Sequence, residues 1–469
     1  MEYVIGILLL LTFFWLAYYC FKGHNLMIGF LIMSVLWTIL PLVGTLFVSD
    51  AFINDNPILQ FGGESGTTLV SILNSVYQTA TEGWGVTLVN VLWGAWFGRV
   101  MMETGIASTI IRRTVELGGD RPMVTIALLN IVTALIFTAM MGAGPVIAIG
   151  VIVLPILMSF GIPKALALFT FVGSVSAGIY INPVIFGQIR GFFLPGIIDL
   201  EEAMGFNLAW LASRFGYAAM GITVVVVTVL AGVYLKMSKK SHAWVAQVDG
   251  GGGGEQKNAP FYTLILPIVP VILHIWLGFS VIGGFIIAGL LGMLLCGKLN
   301  KGFKDSCQLI NKLYFDGIVD TAPLIGFLLV LPMFNRAAAF ASPYFGAVVG
   351  PIMPTSEITI IVLFAILMGF GLFRGPMTLF GCGAATLGVL LGVGNFPMPF
   401  LFVAFAIPTI TANIGSCITQ SWNAWGLAYT KVESKEFLKY TIPFAYITGI
   451  LLFILAAVTM TGLGPAWVL

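Results

Sequence analysis

Two glycine and proline interruptions decide how this chain folds: Met140-Met141-Gly142-Ala143-Gly144-Pro145 and Gly369-Phe370-Gly371-Leu372-Phe373-Arg374-Gly375-Pro376. Each sits in the middle of an apolar stretch, Pro122 to Phe160 and Glu357 to Val393, nearly twice the length of the about 20 residues that one crossing needs. Glycine and proline in mid-apolar sequence punctuate helices, because one removes backbone restraint and the other a hydrogen-bond donor. Each stretch is therefore predicted to be a re-entrant hairpin, two half-length helices meeting at a tip inside the bilayer.

The rest of the composition agrees. Of 469 residues, 59% are hydrophobic and 9% charged, against about a quarter charged in a soluble protein, which excludes a water-soluble globule. Long unbroken apolar runs exclude an outer-membrane barrel, whose strands alternate with period 2. There is room for about ten or more membrane segments, so the expected fold is an all-α polytopic membrane protein. A formal net charge of +2 gives nucleic acid nothing to bind. Cys20, Cys296, Cys307, Cys382 and Cys417 share no CxxC spacing, and with only three histidines they assemble no zinc set. The apolar run from Tyr3 to Cys20 has no basic n-region before it and is expected to be a retained first span.

A hairpin returns its two flanks to one side of the membrane, and the charges test this. With both stretches folded back, all but four of the 21 cations fall on one face, Arg99 among them, and the exceptions are Arg190, Arg214, Arg336 and Arg374. By the positive-inside rule that face is cytoplasmic, with both termini outside. Drawing either stretch as one span would swap every later loop and abolish the asymmetry.

The same drawing exposes an inverted-topology repeat. Residues 1–235 form a first repeat whose hairpin (about 122–160) enters from the cytoplasm, and 261–469 a second whose hairpin (about 357–393) enters from outside. Phe97-Gly98-Arg99 has its counterpart in Phe334-Asn335-Arg336, and Gly144-Pro145 in Gly375-Pro376. Residues 236–260, with five glycines from Gly250 to Gly254, are expected to be a flexible cytoplasmic linker. After each hairpin comes a span with a polar break: Gly173-Ser174-Val175-Ser176-Ala177-Gly178-Ile179-Tyr180-Ile181-Asn182-Pro183 in the segment about 165–188, and Pro408-Thr409-Ile410-Thr411-Ala412-Asn413-Ile414-Gly415-Ser416 in the segment about 399–429. Non-helical backbone at membrane depth is tolerated only where protein buries it or a cavity solvates it. Two tips and two broken helices are thus expected to converge on a polar cavity.

Arg374 is the sharpest single signal, a cation about seventeen residues into an apolar hairpin, where insertion costs about 2.5 to 3.5 kcal/mol. Its guanidinium, with the backbone at Gly375 and with Thr378, is a candidate carboxylate clamp; the alternative is pairing with carbonyls of the protein itself. Gly142, Gly144, Ser174, Ser176, Asn182, Thr411, Asn413 and Ser416 complete the candidate substrate site, and Thr409, Asn413, Thr419 and Gln420 are candidate oxygen ligands for a coupling ion, H+ or Na+. For each of the polar residues, interhelical hydrogen bonding is the competing role. Arg190, Arg336 and His274 are expected to be structural. Glu82, Glu103, Asp316, Asp320 and Glu357 all fall near segment ends, so no carboxylate is expected at the midplane as a proton carrier.

The run Leu92-Trp93-Gly94-Ala95-Trp96-Phe97-Gly98-Arg99-Val100-Met101-Met102-Glu103-Thr104-Gly105, then Arg112-Arg113 and Ile152-Val153-Leu154-Pro155-Ile156, resembles the gluconate permease family of the ion transporter superfamily, relatives of citrate, lactate and C4-dicarboxylate permeases. The resemblance implies a symporter of small organic anions in a bacterial cytoplasmic membrane, driven by protons or sodium. It also implies an elevator-like moving domain, a homodimer and no cofactor. The family's acidic first tip and its histidine-proline segment are replaced here by Met141 to Pro145 and Ile181-Asn182-Pro183-Val184, which points to an anion other than gluconate. A cation/proton antiporter on the same scaffold and an anion channel are the alternatives. An enzyme would need HExxH, GxSxG or a similar set, and none occurs.

Overall fold

The computed structural model describes residues 1–22, 24–59, 69–119, 121–193, 206–237, 258–300, 302–352, 354–381, 383–393 and 396–461. The glycine run of the expected linker lies outside the described residues.

The described residues form helices and connecting turns, in an all-α polytopic membrane fold. In chain order the helices are α1 (Glu2–Phe21), α2 (Leu26–Thr45), α3 (Asp50–Asp55), α4 (Leu69–Asn74, running on through a π turn, Ser75–Thr79, and Ala80–Glu82), α5 (Gly85–Glu103), α6 (Ile106–Gly118), α7 (Pro122–Phe137), α8 (Ala143–Ser159), α9 (Lys164–Ile179), α10 (Pro183–Gly191), α11 (Leu208–Leu211, Ala212–Gly216 and Tyr217–Met237 in one run), α12 (Val269–Leu277), α13 (Val281–Leu295), α14 (Phe303–Val349), α15 (Glu357–Ile366, tightening to a 3-10 helix over Leu367–Arg374), α16 (Gly383–Val393), α17 (Met398–Ile407, loosening to a π-helix over Pro408–Ile414), α18 (Ser421–Thr430) and α19 (Ser434–Met460). Among the described residues five helical runs are long and apolar enough to cross a membrane, six if the bent pair α9–α10 counts as one span. Their outward faces carry exposed Leu, Ile, Val and Phe, such as Val225 and Val229 on α11 and Ile447 and Ile454 on α19, as a lipid contact requires.

Packing sorts the helices into two groups. Helix α14 packs against α1, α2, α5 and α16, whereas α9 packs against α7, α11 and α19, with α8 touching both α5 and α9. The first hairpin stretch is α7 and α8, 16 and 17 residues, about 24 and 26 Å. Its arms touch each other little and pack mainly on different neighbours, so they meet at the turn and diverge. The second stretch breaks later than its glycines suggest. Helical geometry persists to Gly371, and the reversal begins at Leu372, followed by Phe373 and Arg374 at φ 54° and 59°.

Helix α14 is continuous over 47 residues, about 70 Å long. Its prolines, Pro332 and Pro343 among them, do not end it; the Ala339 carbonyl that Pro343 leaves free accepts from Ser342 Oγ of the same helix at 2.8 Å. In its polar first turns Leu309, Ile310 and Leu313 form an apolar stripe that packs on the core. The stretch before Trp84 is helical as well. From it Ser75 accepts a 2.8 Å hydrogen bond from Arg336 Nε, so Arg336 ties α14 to α4.

Candidate functional site

The site is assembled from the two breaks. In the first, the chain leaves α9 after Ile179 and re-enters helix at Pro183, the two helices standing at 72°. Asn182 holds this bend: its Oδ1 caps α10 by accepting from Val184 N (2.9 Å) and Ile185 N (3.2 Å), while Nδ2 donates to Phe137 O (3.0 Å) and Met140 O (3.2 Å) at the first hairpin's turn. The capping preference of asparagine followed by proline dictates the first pair. With both amide hydrogens and its oxygen engaged, Asn182 positions the break and the hairpin and is not a free ligand.

In the second break Pro408 cannot donate to the turn before it, and α17 loosens into its π segment. After Gly415 the chain stays unwound to Gln420. Asn423 plays the part of Asn182: its Nδ2 donates to Ile414 O (3.1 Å) and Cys417 O (2.9 Å) across the break, the latter carbonyl also accepting from Gln420 N (3.2 Å). The two breaks pack on each other antiparallel. Tyr180 and Thr411 share a 2.6 Å hydroxyl hydrogen bond, and Gly415 lies on Ser176 so closely that a Cβ there would sit 2.7 Å from the serine Oγ.

The second hairpin's loop covers the second break. Leu379 N donates to Thr409 Oγ1 (3.0 Å), Phe373 N to Cys417 Sγ (3.0 Å), and Gly371 packs on Pro408 and Ala412. Arg374 donates from Nη1 to Phe380 O (3.0 Å) and from Nη2 to Thr419 O (3.5 Å) and Gln420 Oε1 (3.4 Å). Its guanidinium therefore joins the hairpin loop to the unwound stretch through neutral acceptors of the protein itself, the role weighed against the carboxylate clamp.

The first hairpin's turn sits elsewhere. Gly142 (φ 105°) packs on Thr321, Pro145 on Gly98, and Gly144 on the carboxylate of Asp320. Asp320 accepts both arms of a fork from Arg99, Nε to Oδ2 and Nη2 to Oδ1, each at 2.5 Å. Arg99 is thus paired, and Asp320 lies within the continuous α14, four residues before its apolar span Leu324–Val349 and against the first hairpin's tip.

Most of the predicted hydroxyls are back-bonded to their own helices: Ser174 to Thr170 O (2.8 Å), Ser176 to Gly173 O (2.7 Å) and Ser416 to Thr411 O (2.8 Å). Thr419 Oγ1 pairs with Cys417 Sγ at 2.9 Å. Gly142 and Gly144 thus go to Asp320, while Gly375 and Thr378 go to the second break. Among the described residues several buried side chains have polar atoms without a partner: both amide atoms of Asn413, of Gln188 and of Asn335, and the hydroxyls of Thr378 and Thr448; Asn413, Gln188 and Thr378 are the ones near the second break and its covering loop. Asn413 lies one turn from Thr409 in the π segment, and Thr409 holds the nitrogen of the residue after Thr378. Gln188 was not anticipated. It lies one turn before Phe192, whose ring is 6.1 Å from that of Phe380 in the second hairpin's loop. The signal for it was a lone amide in the apolar run after Asn182-Pro183. A buried polar group without a partner costs about 1–3 kcal/mol, and such groups mark ligand sites.

The molecule is an all-α polytopic membrane protein whose polar interior lies where two broken helices cross. It is similar in fold to the crystal structure of the Alcanivorax borkumensis YdaH transporter, described as having an unusual topology, with a TM-score of 0.59 and 15% sequence identity over 94% of this chain and 99% of that one. No protein-family model and no curated protein matches the chain, so the gluconate permease resemblance rests on its motifs alone.

Proposed function

We propose that this protein is a secondary active transporter, a symporter that carries a small organic anion on a proton or sodium gradient, with alternating access through rigid-body movement of the helices around the breaks. The observation that carries it is Asn413: a fully buried amide with both ends unpartnered, in the π segment of the second broken helix under the loop that holds Arg374. Asn413, Thr378 and Gln188 supply donors and acceptors, and the solute is a mono- or dicarboxylate or sugar acid. Arg374 adds the charge that selects an anion over a neutral solute. The solved structure with the same fold is itself a transporter, which supports this reading. Homodimerisation and a bacterial cytoplasmic membrane location belong to the same proposal.

Uptake into proteoliposomes of a panel of organic acids, with sodium and proton gradients imposed separately, tests it. Saturable accumulation of one acid under one gradient is expected. Flux that only equilibrates and does not saturate would make the protein a channel. A cation/proton antiporter is the second reading, with Asp320, on α14 just before the apolar span Leu324–Val349, as its candidate carboxylate; it predicts cation-dependent proton movement with no organic acid present.

A further inference from the structure

Helices α5 and α10 pack antiparallel. Gly94 lies on Val184, whose Cγ2 a Cβ there would meet at 3.2 Å, and Thr87 Oγ1 donates to Gly187 O at 3.5 Å. The indole of Trp84, the residue before α5, covers Gly191, where a Cβ would sit 2.8 Å from Cζ2 and 2.9 Å from Cε2. Gln188 stands four residues after Val184 and three before Gly191, so it faces α5 with them. Along the shared register its amide falls between Trp84 and Thr87. The side chain is fully buried, and among the described residues neither amide atom has a partner. The same holds for Trp84 Nε1, the atom bonded to that Cε2, in a residue 3% exposed.

Packing alone does not account for this pair. A leucine or methionine would fill the place of Gln188 without the desolvation cost of an amide whose oxygen and nitrogen are both unserved. The surroundings lead instead to the second hairpin's loop. Phe192, one turn after Gln188, is edge-on to Trp84 at 5.4 Å and lies 6.1 Å from Phe380. Phe380 gives its carbonyl oxygen to Arg374 Nη1. The rings of Phe192 and Phe380 thus connect the amide and indole to the loop that holds the guanidinium.

The indole N–H only donates, whereas the amide donates through Nε2 and accepts through Oε1. A carboxylate would answer both donors and leave Oε1 without a proton to accept. A hydroxyl or a carboxamide answers all three atoms, because each donates as well as accepts. We propose that Trp84 and Gln188 form a second subsite for the solute, one that reads a neutral hydroxyl or carboxamide at the end remote from its carboxylate. This rests on the transport reading above and narrows it. With the carboxylate at Arg374, the solute is an acid bearing a neutral donor and acceptor at its far end, not an alkanoate or a plain dicarboxylate. Because Gln188 is wholly buried, the solute reaches it only once Phe192 and Phe380 part.

The test uses matched acids as competitors: hexanoate, its ω-hydroxy derivative and adipate, then butyrate, its ω-hydroxy derivative and succinate. Each competes with uptake of the labelled acid selected by the panel, using the full-length protein in proteoliposomes. In the parent the ω-hydroxy acid of at least one length should compete roughly tenfold or more better than the alkanoate and the diacid of that length. Gln188→Met should abolish this preference while leaving the half-inhibitory concentration of the alkanoate unchanged, a separation that a structural role does not produce. Its melting temperature should be unchanged or raised, since no internal partner is lost. Trp84→Phe keeps a ring and loses the N–H, and it should weaken the preference; should Gln188→Met not fold, this variant carries the test. Equal competition by the three acids at both lengths in the parent, or a preference that survives in the variants, overturns the subsite and leaves transport standing. Failure of the parent to move any acid under either gradient overturns the transport reading and the subsite with it.

Discussion

Tyr180 and Thr411, 231 residues apart, meet hydroxyl to hydroxyl at 2.6 Å, and this bond joins the two broken helices at their crossing. Ser176 and Gly415 touch one turn away in the antiparallel sense, so the contact repeats the same relationship from both halves of the chain.

Removing that bond should loosen the crossing without unfolding it. Tyr180→Phe is expected to lower stability by between about 0.6 and about 1.7 kcal/mol, the range measured for hydrogen bonds inside membrane proteins. Thr411→Val should cost a similar amount, and the double variant less than their sum. Thermal unfolding in detergent reads all three.

Asn182 separates two jobs in one side chain. Asn182→Asp keeps the cap on α10 and loses both donations to Phe137 O and Met140 O, whereas Asn182→Ala loses the cap too, for about 1 kcal/mol more. Hydrogen exchange should show the turn from Thr138 to Gly142 opening in both variants, and the start of α10 fraying only in the alanine one.

Close packing of α9 on α7 depends on Gly178, where a Cβ would lie 2.1 Å from Ala134 O. A backbone oxygen cannot move aside cheaply, so Gly178→Ala is expected to destabilise by about 1–3 kcal/mol or more. Gly221→Ala on the exposed face of α11, where a Cβ meets nothing within 4 Å, should be neutral or slightly stabilising. Yield of monodisperse protein and its melting temperature distinguish the two.

Arg374 serves acceptors on two separate segments, which a planar fork can do and a lysine point charge cannot. Arg374→Lys should speed hydrogen exchange over residues 373–381 while leaving α19 unchanged. Arg374→Ala should raise the half-saturation concentration for every transported carboxylate by roughly tenfold or more, equivalent to about 1.4 kcal/mol. An affinity unchanged for all of them would assign the guanidinium to loop anchoring alone.

Much of this fold was legible because membrane helices announce themselves by length and their breaks by composition. Gly142 to Pro145 and Asn182-Pro183 fall at the observed breaks, and the Pro408 to Ser416 run at the second unwinding, since glycine, proline and asparagine act locally there. The continuity of α14 was not legible: whether Pro332 ends a helix depends on what neighbours do for the orphaned carbonyls. The pairing of Asp320 with Arg99, 221 residues away in sequence, was not legible either. Of the candidate site, Arg374, Thr378 and Asn413 lie together at the second hairpin's loop and the second break. Which side chains are spent internally, as Asn182 and Ser416 are, and which stay unpartnered, as Asn413 and Gln188 do, is fixed only by tertiary contacts far apart in sequence.

The central claim is that a solute binds at this crossing, and Asn413 tests it most directly. Exchange of the labelled organic acid selected by the panel should saturate in proteoliposomes of the parent protein. In Asn413→Ala its half-saturation concentration should rise by roughly tenfold or more, the cost of losing a hydrogen-bonding partner in a desolvated site, with melting temperature unchanged or raised, since no internal partner is lost. Identical half-saturation in the two proteins would place the solute elsewhere and contradict the account.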